Sequence, residues 1–192
     1  KLAAQTLETE FVGLFQWLGQ ECNRGDFRLK LGAVIEDLPS VFDKESKKSP
    51  SADTIAKFCE LPSQRALQDH IQERFLKVTG DKENSHNRAT FSSLFIVDAT
   101  GTNLAITINE VMDENPVGKN FAYRTYFNGG HKDLLPQDDT SQIKPVDHQF
   151  VSPPFLSTST GRSKIAICTP IFRSDEQNSG DVQGLMVLTI NL

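Results

Sequence analysis

Apolar residues at Leu7, Phe11, Leu14, Phe15, Leu18 and Cys22 recur at intervals of four and three, which is the stripe of one amphipathic helix. That helix is predicted to end near Asn23 to Gly25. The same period returns in Phe27, Leu31, Val34, Ile35 and Leu38, closed by Pro39, and predicts a second helix. A polar, lysine-rich connection, DKESKKSPSAD, follows. Ser51 or Asp53 can then cap a short helix carrying Ile55, Phe58 and Cys59, and Pro62 breaks it. Ser63 is the expected N-cap of a last helix, whose face holds Leu67, His70, Ile71, Phe75 and Val78.

Beyond GDKENSHNRA the period shortens. FSSLFIV, the turn DATG and TNLAITI read as a hairpin, because β-branched and aromatic runs flank an Asp and a Gly suited to a tight turn. KIAICTPIF, the polar loop RSDEQNSGDVQ and GLMVLTINL predict a second hairpin with a longer connection. Between the hairpins, residues 110–161 are dense in Pro, Gly and Asp. A connection of that length inside a compact domain is usually functional, so a binding site is expected there. Helices first and an antiparallel sheet second define an α+β fold. The final strands are apolar on both faces, so helices are expected on one face of the sheet and the long loop on the other. The expected organisation is a single domain over 1–192, with a helical lead-in over 1–80 and the sheet over 90–192.

The chain has 192 residues and a formal charge of -5, with no basic stripe of the kind nucleic-acid binding requires. The longest apolar runs fall far short of the roughly 20 residues that span a bilayer, and no signal peptide opens the chain, so a soluble piece is expected. It begins at Lys1 inside a helical pattern and stops at Leu192 inside a strand-like run. Sequence removed on both sides, as in a domain excised from a longer protein, is the expectation.

Candidate chemistry is sparse. G-x-S-x-G, H-E-x-x-H and C-x-x-C are absent, and the GK of NPVGKN lacks the upstream glycine of a phosphate-binding loop. One glycine in STSTGR cannot supply the backbone amides of a phosphate cradle. DKENSHN has neither the central glycine nor the terminal glutamate of a calcium loop. The four histidines, His70, His86, His131 and His148, have no metal-binding spacing; His70 reads as a packing residue and His131, near Asp133, Asp138 and Asp139, as part of a solvated loop. The three cysteines read as small hydrophobes, with a Cys22–Cys59 bridge as the alternative. No catalytic residue, metal or cofactor is expected.

GKNFAYRTYFNGG, from Gly118 to Gly130, stands apart, since it crowds an arginine among aromatics and holds both tyrosines of the protein. Arg124 can lock the loop by pairing with an internal carboxylate such as Asp98 or Glu114. Alternatively its guanidinium can grip a ligand carboxylate in two-point fashion, with Tyr126 adding a hydroxyl and Phe127 an apolar wall.

Five segments in this order, FIVDATG, GKNFAYRTYF, FVSPPFLSTSTG, KIAICTPIF and GLMVLTINL, resemble the Cache family of extracytoplasmic sensor domains, which have a PAS-like antiparallel sheet behind a long N-terminal helix. The resemblance covers Phe91 to Leu192 by motif, and the leading helices fit it more loosely. It implies a periplasmic or extracellular input domain between transmembrane helices, relaying ligand binding to a kinase, cyclase or chemoreceptor module. It also implies that Arg124 binds a ligand carboxylate beside Tyr126, with Phe150, Ser152, Phe155 and Ser157 on the rim or wall. Family members that bind amino acids carry an aspartate in the last strand for the ligand's ammonium. The matching residue here is Thr189, and the often acidic position after the P-[FY] motif is Ser157, so a small organic carboxylate, or another small polar anion, suits the site better. The stripe from Leu7 to Cys22 has a second possible use as a homodimer seam. A protein-interaction or dimerisation module with a vestigial, Phe-filled pocket is the alternative, given thirteen Phe.

Overall fold

A computed structural model of the chain describes residues 2–42, 50–80, 91–135, 138–173 and 181–192. The predicted turns DKENSHN, with His86, and most of the loops DKESKKSPSAD and RSDEQNSGDVQ lie outside the described residues. Four helices come first: α1 (Leu2–Cys22), α2 (Gly25–Val41), α3 (Ala52–Glu60) and α4 (Pro62–Gly80). Of the first stripe, Leu18 and Cys22 are buried and Phe11, Leu14 and Phe15 pack against the same core; the side chain of Leu7 is outside the described residues. Among the described residues, no helix is long and apolar enough to cross a membrane.

Two helix boundaries differ from the sequence reading. Pro39 lies inside α2, because in a last turn its missing N–H removes one hydrogen bond while Phe42 N still donates to Leu38 O at 2.9 Å. Ser63 does not cap α4, which starts one residue earlier with Pro62 at the position where a missing N–H costs nothing. Its hydroxyl instead donates to Asp37 Oδ2 at 2.6 Å and ties α4 to α2. Ser51 caps α3 as expected, accepting from Thr54 N at 3.1 Å.

The strands β1 (Phe91–Asp98), β2 (Asn103–Ile108), β3 (Phe150–Val151), β4 (Phe155–Leu156), β5 (Ser163–Phe172) and β6 (Val182–Asn191) form one antiparallel sheet in the order β2-β1-β6-β5-β3, with β4 also on β5. Both predicted hairpins are present. Period-two alternation sorts the apolar strands cleanly between two cores. Leu94, Ile96, Ile167, Met186 and Leu188 face the helices, where Phe27, Leu31, Phe58, Leu67 and Ile71 meet them. Phe95, Val97, Ala166, Cys168, Leu185 and Val187 face the opposite way, under Phe121, Tyr126, Phe127 and Val146 of the long connection. A sheet covered on both faces needs apolar residues at every position, which is why the alternation is weak in the sequence.

The long connection is anchored rather than loose. Phe121 N donates to Gly101 O at 2.7 Å, Gly118 N to Asn103 O at 2.7 Å and Val146 N to Phe127 O at 2.8 Å. Gly101, at φ +89°, allows the approach: a Cβ there would stand 2.6 Å from Ala122 N. These bonds set a short helix, α5 (Thr125–Asn128), over the sheet face away from α1 to α4.

Candidate functional site

Arg124 immediately precedes α5, and its backbone carbonyl accepts from Phe127 N and Asn128 N, which starts the helix. Arg124 is 5% exposed. Nη1 donates to Asp133 Oδ2 at 2.6 Å, while Asp133 Oδ1 accepts from Thr125 N at 2.9 Å. One carboxylate therefore fixes both the guanidinium and the first turn of α5. The guanidinium carbon lies 5.0 Å from the Tyr123 ring centroid and 5.3 Å from that of Phe155, so aromatic faces restrict its plane. Nε and Nη2 have no acceptor among the described residues, which leaves a fixed donor edge.

The internal partner is neither of the carboxylates expected from the sequence. Asp98 Oδ1 accepts from Thr100 N and Thr102 N, both at 2.9 Å, and shapes the DATG turn. Glu114 pairs with Lys119. Asp133 is nearer because α5 and the turn after it fold back on Arg124, with Leu134 N bonded to Tyr123 O at 2.9 Å.

Arg124 lines a cavity of about 40 Å³ between the loop and the sheet. This is room for roughly three waters, hence for a compact ligand. Tyr126, Phe155, Ser157 and Thr189 line it too, so five of the eight residues singled out from the sequence converge. Tyr126 is buried, stacked edge-on to Phe95 at 5.6 Å and tilted to Phe155 at 5.6 Å. Burial pushes its hydroxyl pKa well above the ordinary value, against the pull of Arg124, so it stays a neutral donor. Thr189 Oγ1 lies 2.6 Å from Ser93 Oγ across the β1–β6 pair.

Phe127, Phe150 and Ser152 are not among the residues lining the cavity. Successive residues of α5 diverge by about 100°, so with Tyr126 at the cavity, Phe127 is fully buried in the core beside it. Phe150 pairs with Cys168 on β3, at the far edge of the sheet from β1 and β2. Ser152 Oγ accepts from Ala166 N and donates to Pro153 O, both at 2.9 Å, and serves the backbone.

The lining also holds residues the sequence reading passed over, chiefly Lys164, Asn103 and Ser93. Lys164 is 2% exposed, and its ammonium donates to Ser92 Oγ. Burial lowers its pKa, with Glu110 opposing. Glu110 is itself raised by burial, but hydrogen bonds from Asn191 and Ser92 and the charges of Lys164 and Arg162 outweigh that and hold it below the ordinary glutamate value. Asn103 Oδ1 is buried without a hydrogen-bond partner. A signal for Lys164 existed: strand alternation places it on the face of Ala166 and Cys168, the loop side. Among the lining residues there is no Asp or Glu; the two basic ones, Arg124 and Lys164, pair with Asp133 and Glu110 outside the lining, and several hydroxyls complete it.

No metal-binding cluster of His, Cys, Asp or Glu occurs among the described residues. Asp138 and Asp139, near His131, accept from Leu135 N and Ser141 N in tight turns. Cys22 and Cys168 are buried and Cys59 half-buried, all as free thiols whose pKa burial raises.

Fold and site together define an α+β domain whose sheet carries helices on one face and a loop-roofed cavity holding the Arg124 side chain on the other. No protein-family model matches the chain, and no curated protein matches it. Solved structures similar to it are ligand-binding domains of bacterial chemoreceptors. The Pseudomonas fluorescens CtaA domain in complex with L-serine is 14% identical over 96% of this chain and 60% of that chain, with a TM-score of 0.39. The Pseudomonas aeruginosa PctC domain with GABA is 11% identical over 95% and 64%, with a TM-score of 0.33. The Campylobacter jejuni Tlp3 sensory domain with isoleucine is 12% identical over 95% and 62%, with a TM-score of 0.36. The chain spans about three fifths of the length of these structures.

Proposed function

We propose that residues 1–192 form one ligand-sensing input domain of the Cache type, carried outside the membrane by a transmembrane signalling protein and binding a small organic carboxylate without catalysing a reaction. One observation carries the ligand class: a buried guanidinium, held by Asp133 and two aromatic rings, presents its remaining donors at a cavity lined by no acidic side chain. A carboxylate matches that edge in charge and two-point geometry. An ammonium group would meet the hydroxyls of Ser93 and Thr189, with no Asp or Glu in the lining. The five ordered motifs support the sensor role, and the core shared by helices and sheet supports a single unit.

A thermal-shift panel of small carboxylates and amino acids tests the reading. A ligand at about 100 times its Kd stabilises by roughly 2.7 kcal/mol. Carboxylates are expected to shift the midpoint and Arg124→Ala to abolish the shift; a shift unchanged in that variant removes Arg124 from the site. The Arg124–Asp133 pair supports a second reading, a dimerisation module with a vestigial pocket. A concentration-dependent dimer by sedimentation, with no shift from any panel member, decides for it.

A further inference from the structure

We propose that glutamines of α4 stand in for a missing neighbour of β2 and mask a sheet edge fitted to pair with β2 of a second copy of this chain. The inference is independent of what the Arg124 cavity binds.

β2 is the outermost strand on its side of the sheet, so its outward N–H and C=O groups have no strand partner. Asn109 N donates to Ser92 O on β1, and the pairs Ser93–Ile108 and Phe95–Ile106 follow in register. Residues of an antiparallel strand alternate between bonding their neighbour and facing away, so the backbone groups of Ile106 and Ile108 point outward. Gln68 meets Ile106 with both ends of its carboxamide: Nε2 donates to Ile106 O at 2.7 Å, and Oε1 accepts from Ile106 N at 3.1 Å. That is the donor and acceptor pair a strand residue would present. Gln64, itself buried, donates to Leu104 O at 3.2 Å, and Asn103 is closed by the long connection through Gly118 N and Lys119 O.

The spacing explains the match. Four residues of helix rise about 6 Å, and two residues of strand about 6.7 Å, so successive glutamines reach successive outward groups. Gln72 continues the helical repeat toward Ile108 but is exposed, and among the described residues nothing bonds the Ile108 backbone on that side. That rung is open.

The two edges of the sheet are protected differently. On the far side β3 and β4 have two residues each, with Pro153 and Pro154 between them, which leaves little edge to pair. β2, NLAITI, carries no charge and no proline, a composition that favours strand pairing. Its protection is therefore the cover from α4. A second copy fits the uncovered edge, because antiparallel pairing about Ile106 sets Leu104 of one copy against Ile108 of the other and has two-fold symmetry.

Amide hydrogen exchange by NMR and sedimentation over a range of concentrations test this on the 192-residue chain. Relative to their unfolded rates, the Ile106 amide of the wild-type chain is expected to exchange about tenfold or more slowly than that of Ile108, although both face the outer edge. Equal protection overturns the proposal by itself, so the test does not depend on a variant folding. Gln68→Met keeps the length of the side chain and its helix preference but removes both bonds. It should bring Ile106 to the protection of Ile108 and add a concentration-dependent assembly step that the wild-type chain lacks. Gln68→Glu keeps an acceptor for Ile106 N and sets a negative charge on the edge, so it should sediment as the wild type does. Folded Gln68→Met that sediments like wild type overturns the pairing with a second copy. Equal assembly of Gln68→Glu and Gln68→Met overturns it as well, since lost stability rather than an uncovered edge then drives association.

Discussion

The hydroxyls of Ser93 and Thr189, 96 positions apart in sequence, meet at 2.6 Å across the β1–β6 pair and form a neutral patch in the wall of the Arg124 cavity. An aspartate at Thr189 would put a negative charge beside Ser93 in the wall of the cavity that Arg124 also lines. Thr189→Asp is therefore expected to weaken carboxylate binding by about tenfold or more, since the new charge competes for Arg124 and repels the ligand. The same substitution should turn the ligand preference toward amino acids, because an ammonium then has a partner. Calorimetry with propionate and alanine checks both; unchanged propionate affinity removes Thr189 from the site.

Asp133 holds the guanidinium of Arg124 from the side away from the open donors. Asp133→Asn keeps the acceptor for Thr125 N but removes the charge. The expected result is a loss of about 1–3 kcal/mol in unfolding free energy, the cost of an under-paired buried charge. Saturating carboxylate should restore part of that loss, because it replaces the missing counter-charge. Urea unfolding with and without ligand measures it.

Ser152 separates the sequence expectation from its place in the fold. Its hydroxyl is committed to Ala166 N and Pro153 O. Ser152→Ala leaves a buried backbone donor unpaired and should cost about 1–3 kcal/mol of stability. Carboxylate affinity in the folded variant is expected to stay within about twofold of wild type, well below the tenfold that one charge-assisted contact carries.

Gly101 lets the DATG turn touch the loop that carries Arg124. Its φ of +89° and the 2.6 Å approach of a Cβ to Ala122 N leave no room for a side chain. Gly101→Ala is expected to destabilise by about 1–3 kcal/mol through strain and displacement. It should also weaken ligand binding, because Phe121 N bonds to Gly101 O three residues before Arg124.

His70 stacks on Phe27 at 5.7 Å, with Nε2 buried and unpartnered and Nδ1 3.8 Å from Asp26 Oδ2. Burial lowers its pKa from 6.5, with Asp26 opposing. A folded value below the unfolded one means that the stability contribution is fully present above pH 6.5 and is lost as pH falls through the folded value. His70→Gln should flatten the fall in stability between about pH 6.5 and 5. Urea midpoints measured across that range test it, and equal slopes in both proteins contradict the assignment.

Element type and order were legible in the sequence because they depend on local periodicity: the three-and-four spacing of Leu14, Leu18 and Cys22, the Ser51 cap, and the apolar runs around DATG. Arg124, Tyr126, Phe155, Ser157 and Thr189 were legible as a group because the five ordered motifs carry them. The rest was not local. Whether Arg124 pairs with Asp98, Glu114 or Asp133 depends on how the turn after α5 folds back, which no spacing encodes. The consecutive serines Ser92 and Ser93 look alike in sequence, yet a bulge between Phe91 and Ser93 lets one bond Lys164 and the other Thr189. Local spacing and residue type suffice for the helices, the hairpins and the aromatic setting of Arg124. The tertiary structure alone decided which charges share the cavity, because strand register and loop packing bring together Lys164, Arg124 and Thr189 from segments far apart along the chain.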